Sequence, residues 1–220
     1  MSLLQSPAVT VDALVLPVLL GSGLRLERSG RVVFDLPQLA LPTGVTWLGG
    51  GEGRGKSSLL QLLAGDLRVP GADLQLQGVA LAKEPKTYCQ QVFWMDPRTN
   101  THDAVVAGQF LNATAARYPR WDAVLQAHLV EVLGLGPHID KPLYMHSTGS
   151  KRKVWLTAAL ASGAALTLLD EPFAALDRAS IRRIVELLQD AAHNRYRAWV
   201  VADYEAPPGV PLAHTIYLGD

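Results

Sequence analysis

Two short stretches hold the residues best suited to phosphate chemistry. Residues 50–57 read GGEGRGKS, a full match to the spacing G-x-x-x-x-G-K-[ST]. Gly50, Gly53 and Gly55 let the backbone turn and approach an anion where a Cβ would intervene, so that several N–H groups can point at phosphate oxygens. The candidate phosphate-binding set is therefore Gly50, Gly51, Glu52, Gly53, Arg54, Gly55, Lys56, Ser57 and Ser58. In such a loop the lysine, Lys56, reaches the β- and γ-phosphates, and the hydroxyl of Ser57 binds Mg²⁺. A glycine-rich turn that happens to contain a lysine is the plain alternative. A strand-like run before the loop and a helical run after it favour the phosphate reading.

The second stretch, LTLLDEPFAALD (166–177), is an apolar run that ends in two adjacent acids, with a third further on. Acids at the mouth of a buried strand are costly to desolvate unless a cation or hydrogen-bond donors meet them. Asp170 is expected to meet Mg²⁺ together with Ser57, and Glu171 to lie near the γ-phosphate and polarise an attacking water. A strand-end turn or helix cap is the alternative for both. For Asp177, which precedes RASIRRIVELL, a helix cap is as good a reading as a functional one.

These residues must be held by short strands and helices in alternation. VVFDLPQLAL (32–41), VTWL (45–48), DLQLQG (73–78), QQVFWM (90–95), AALTLL (164–169), AWVVA (198–202) and HTIYLGD (214–220) read as strands. GKSSLLQLLAG (55–65) has helical spacing and stops at Gly65, and further helices are expected at 149–161 and 178–192. Between about 99 and 144 the strand signal fades, and 102–118 and 120–136 favour two amphipathic helices. The expectation is one α/β domain over 1–220 with a mainly parallel sheet, the acidic strand lying beside the strand that precedes the phosphate loop. A helical subdomain is inserted at 97–150.

The apolar stretch AVTVDALVLPVLLGSG (8–23) is broken by Asp12 and Pro17 and lacks a preceding basic residue, so it reads as an opening strand and not as a signal peptide or membrane span. Lys+Arg and Asp+Glu are equal at 20 each, so no basic excess argues for nucleic acid as a partner. The single cysteine, Cys89, has no internal partner, which fits a reducing compartment. His102, His128, His138, His193 and His214 show no metal-ligand spacing. The basic cluster Lys151, Arg152 and Lys153 reads as a solvated helix face, and Trp94, Trp121, Trp155 and Trp199 read as core.

Joined to STGSKRKVWLTAALASG (147–163), which directly precedes the acidic strand, the two motifs resemble the nucleotide-binding domain of ABC transporters over nearly the whole chain. The resemblance implies a P-loop NTPase fold with an N-terminal antiparallel β part. HSTGS (146–150) stands where that family has its LSGGQ signature, and AALD (174–177) where it has its D-loop. The resemblance further implies that two such domains, identical or different, sandwich two ATP molecules between the P-loop of one and the signature of the other. Ser147 and the N–H groups around Gly149, at a helix start, would then clamp the γ-phosphate from a partner chain. Hydrolysis would part the domains and drive separate membrane permease subunits, placing the protein in the cytoplasm on the inner face of the membrane.

The pattern departs from the family at the positions that sense phosphate. Asp96 stands for a glutamine that reaches Mg²⁺, and Asp203 for the switch histidine, an acceptor in place of a donor. His146, Thr148 and Ser150 replace signature residues. No aromatic stands in RLERSGR (25–31) to stack on adenine. Arg28 is a possible substitute, though a surface arginine is the plainer reading. Slow hydrolysis, a regulatory ATP-binding role or a soluble ABC-type ATPase remain the alternatives to a transporter ATPase using Glu171, Lys56 and Asp203.

Overall fold

The computed structural model describes residues 16–219. The chain runs through β1 (Leu19–Arg28), β2 (Arg31–Leu41), β3 (Gly44–Gly49), α1 (Lys56–Ala64), β4 (Asp73–Leu76), β5 (Val79–Ala80), α2 (Pro85–Gln90) and β6 (Val92–Phe93). It continues through α3 (Ala107–Ala115), α4 (Ala123–Val132), α5 (Thr148–Ala161), β7 (Leu166–Asp170), α6 (Arg178–Ala192), β8 (Ala198–Ala202) and β9 (Leu212–Tyr217). Of the opening strand expected over 8–23, residues 8–15 lie outside the described residues, and Leu19–Gly23 enter β1.

Two sheets result. In the antiparallel sheet the order is β2-β1-β4-β5, and in β1 buried Leu24 and Leu26 alternate with exposed Arg25 and Glu27, which puts one face on the core. The other sheet has the order β6-β7-β8-β3-β9, and every adjacent pair in it is parallel. Each residue of β7 and β8 is buried, as expected of parallel strands covered on both faces. Leu166, Leu168 and Val200 pack into one core with α1 and the antiparallel sheet; Leu169, Trp199 and Val201 pack into the other with α3, α4, α5 and α6.

One expectation is corrected here. β7 does not lie beside β3, because β8 runs between them and pairs with both. Strand order is set by crossover packing, which no local pattern encodes. The three strands nevertheless end level. Asp170 is opposite Ala202 on one side of β8, and Leu48 is opposite Ala202 on the other. Their C-terminal ends form the crevice in which open α/β sheets bind ligands.

The helices at 56–64 and 178–192 form where expected, the first stopped by Gly65 with φ +85° and the second capped by Asp177. QQVFWM contributes only Val92 and Phe93 to the sheet, since Gln90 closes α2, a helix the sequence did not suggest. α2 is pinned by Tyr88, fully buried, whose hydroxyl donates to the carbonyl of Leu63 at 2.7 Å. Trp155 and Trp199 are core residues, whereas Trp94 and Trp121 are half-buried.

Candidate functional site

The phosphate loop leaves β3 at Gly49 and enters α1 at Lys56, so the positive end of α1 faces the loop's concave side. Gly55 is the N-cap at φ +91°, and a Cβ there would lie 2.5 Å from Val33 Cγ1, so glycine is required both for the turn and for packing on β2. Lys56 is 7% exposed. Its Nζ donates to the carbonyl oxygens of Gly50 at 2.6 Å and Gly51 at 3.0 Å, and lies 4.3 Å from the ring centroid of Tyr204. The loop thus holds a buried cation by dipoles and a π-face, with no carboxylate bound to it among the described residues.

Ser57, at the first turn of α1, donates its hydroxyl to Asp170 Oδ2 at 2.6 Å. Burial pushes the Asp170 carboxyl above the usual carboxylate range; Ser57 opposes this, the Glu171 charge adds to it, and Arg98 opposes it. A buried carboxylate strained in this way beside a hydroxyl is a pair of hard oxygen ligands that a cation would relieve. No group of three or more His, Cys, Asp or Glu able to hold a metal is found among the described residues. The donor set fits an ion such as Mg²⁺, which takes one or two protein oxygens and completes its shell with water and phosphate.

Glu171 sits just past β7 at φ +45°, in the left-handed region. Its N–H donates to Ala202 O at 2.8 Å, and its carbonyl accepts from Arg152 Nη1, which also donates to Asp170 O at 3.2 Å. The backbone at the acidic pair is therefore tied to β8 on one side and to α5 on the other. This revises the expectation that residues 151–153 are a solvated face. Lys151 pairs with Asp103 at 2.5 Å, Lys153 with Asp177 at 2.7 Å, and both lysine side chains are only 17% exposed, because the first turns of α5 face α6's start and the loop before α3. Asp177 caps α6 through Ser180 N at 2.8 Å while holding Lys153, which together keep its carboxyl far below the usual range.

Asp203 follows β8, with its N–H on Leu48 O at 3.2 Å and its carbonyl accepting from Trp47 Nε1 at 3.2 Å. Its Oδ1 accepts the N–H of Tyr204 at 2.8 Å. Burial raises its carboxyl pKa, the Tyr204 N–H opposes this, and Glu171 adds to it. Asp96 lies in a Pro-containing turn where its Oδ1 accepts the N–H of Arg98 at 2.9 Å. Arg98 then reaches the Ser57–Asp170 pair, so Asp96 joins the site through that guanidinium.

A cavity of about 380 Å³ is lined by residues 51–58, Glu171, Arg98 and Tyr204, together with Arg28 and Val33, which abuts Gly55; Asp170, Asp203 and Asp96 lie outside its lining. Ser147 and Gly149 do not line it. Ser147 caps α5, accepting from Ser150 N at 3.1 Å, and Ser147 and Thr148 are exposed. A Cβ on Gly149 would lie 2.3 Å from Ala175 O, so its glycine is needed for contact with the 174–177 turn of the same chain. His146 Nδ1 and Ser150 Oγ, two of the departures, bond to each other at 2.9 Å across the start of α5.

Reading the sequence missed Arg98, Arg152 and Tyr204. The signals were present but weak: a charged residue beside a Pro turn, a basic helix start next to the acidic strand, and an aromatic next to Asp203.

A sequence model of the family described as ABC transporter matches residues 38–174. The chain is 31% identical over 169 residues to the cytochrome c biogenesis ATP-binding export protein CcmA of Pseudomonas savastanoi pv. phaseolicola, spanning 76% of this chain and 79% of that one. It is 33% identical over 202 residues to the protein of the same name from Paramagnetospirillum magneticum, spanning 87% and 89%. A solved ATP-binding subunit of an ABC transporter superposes with a TM-score of 0.75 at 19% identity, covering 85% of this chain and 79% of that one, a likeness of fold.

Proposed function

The chain belongs to the ABC transporter family as an ATP-binding, ATP-hydrolysing subunit, and from that premise we propose how its residues divide the work. The triphosphate of ATP lies on residues 50–58 in the cavity, its charge met by loop N–H groups, the α1 terminus and Lys56. Ser57 and Asp170 would hold Mg²⁺, which would supply positive charge beside the phosphates. Glu171 orients and deprotonates the attacking water, its position fixed by Ala202 and Arg152. Asp203, tied to β3 at the end of the central strand, senses the γ-phosphate side of the site, and Asp96 acts through the Arg98 turn. We assign the base to the part of the cavity that Arg28 lines.

A second nucleotide-binding domain, identical or different, completes the site with its own Ser147 and Gly149. The support is that these residues sit at an exposed helix start outside the cavity of their own chain, so each chain offers half of a clamp. The segment 97–150 serves as a helical subdomain within the domain formed by the described residues, 16–219. No helix among the described residues is long and apolar enough to cross a membrane. We assign the membrane path to separate permease subunits and place this chain on the cytoplasmic, inner face. The export named for the curated relatives is the direction we take for this one.

The observation that carries this reading is the 2.6 Å contact between Ser57 and Asp170, which joins the phosphate loop to the acidic strand. It is tested by size-exclusion chromatography of Glu171→Gln with Mg-ATP. The reading expects an ATP-dependent dimer that Gly149→Ala weakens; a protein that binds ATP yet stays monomeric would overturn the clamp.

A further inference from the structure

Arg98 stands where a metal would be wanted. Its Nη2 donates to Ser57 Oγ at 3.3 Å and lies 3.9 Å from Asp170 Oδ2, while its Nε is 3.5 Å from Asp96 Oδ1. The backbone aims it there. Asp96 Oδ1 accepts the Arg98 N–H, and the Thr99 N–H donates to Asp96 O at 3.0 Å, closing a turn with Pro97 fixed in its middle. The guanidinium also lines the phosphate cavity, and its side chain is 70% exposed there, so it faces whatever enters.

We propose that Arg98 is a tethered cation at the Ser57–Asp170 pair, one that supports binding of a nucleotide triphosphate without a divalent metal and competes with Mg²⁺ for the pair. A guanidinium supplies a permanent charge and a planar fork matched to phosphate oxygens. It can therefore neutralise Asp170 and contact a phosphate at the same time. A divalent ion carries more charge and displaces it, at the cost of separating Arg98 from the two oxygens. The consequence is a site whose demand for Mg²⁺ is softened at low metal and raised near saturation.

This rests on the reading of the cavity as the ATP site. The experiment is a titration of fluorescent ATP into the full chain and into Arg98→Ala, Arg98→Gln and Arg98→Lys, first in EDTA and then over a Mg²⁺ series. Thermal melts of each variant accompany it. In EDTA, loss of one charge-assisted contact should weaken binding by about tenfold in the Ala and Gln variants, while Lys retains part of it. In the Mg²⁺ series the Ala and Gln variants should reach half-maximal gain at severalfold lower Mg²⁺ than the parent. Equal affinity in EDTA for parent and Gln variant, or an unshifted Mg²⁺ midpoint, overturns the proposal. If the parent binds no ATP in either condition, it is the site assignment that fails.

Discussion

Ser57 and Asp170 are 113 positions apart in the chain and meet at 2.6 Å. The contact exists although β8 separates the strands leading to them, because β3, β8 and β7 end level and α1 turns back over the strand ends. The residues proposed to act on phosphate are arranged around that junction. Lys56 lies on its loop side, Glu171 directly follows β7, and Asp203 directly follows the intervening β8.

The three carboxylates at the junction repel one another, and this gives a pH signature. Burial and the Glu171 charge raise the pKa of Asp203 in the folded protein. A raised carboxylate pKa is a penalty fully present above the folded pKa and relieved as pH falls toward the unfolded value near 4. Asp203→Asn should therefore raise the melting temperature of the nucleotide-free protein by a few degrees at neutral pH. The gain should shrink as pH is lowered through the folded pKa. Melts at a series of pH values check this; an unchanged or lowered midpoint at pH 7 contradicts it.

Arg152 spans from α5 to the carbonyls of Asp170 and Glu171, and with the Glu171 N–H bond to Ala202 O it fixes the backbone of Glu171. Arg152→Ala should lower stability by about 1–3 kcal/mol, since it removes a charged donor from both carbonyls and leaves Glu171 O with the Ala174 N–H at 3.2 Å. It should also cut kcat at least tenfold with little change in KM for ATP, because binding rests on the loop and not on Glu171. Lysine at the position should recover part of kcat. Chemical denaturation and steady-state kinetics separate these effects, and a change confined to KM would refute the positioning role.

At Gly149 the added Cβ of alanine would meet Ala175 O at 2.3 Å. Backbone cannot yield as a side-chain tip can, so Gly149→Ala should displace the start of α5 from the 174–177 turn and lower stability by about 1–3 kcal/mol. Because Lys153 and Asp177 span the same seam, the Lys153–Asp177 pair should weaken with it. A double-mutant cycle of Gly149→Ala with Lys153→Ala measures this coupling, and strict additivity would show that the seam is not shared.

What the sequence revealed followed distance along the chain. Residues 50–57 are consecutive, so their spacing alone announces a phosphate loop. α6 is legible because its cap at Asp177 and the apolar run Ile181, Ile184, Val185 and Leu188 are local. The position of β8 between β3 and β7 depends on how crossovers pack, and the resulting error in strand order had no local remedy. Arg152 and Arg98 look like any surface arginine until folding brings the acidic strand to them. The departures at Asp96 and Asp203 were visible as residue types, but their partners, the Arg98 turn and the Leu48 carbonyl, were not.

The central claim is that Lys56, Ser57, Asp170 and Glu171 form one site that binds and hydrolyses ATP. Phosphate release from Mg-ATP, measured with ATP binding for the parent, Lys56→Ala and Glu171→Gln, tests it most directly. The account predicts turnover by the parent, no detectable binding by Lys56→Ala, and, for Glu171→Gln, near-parental binding with turnover reduced by about a hundredfold or more, as loss of a general base entails. Parental turnover in both variants would contradict it.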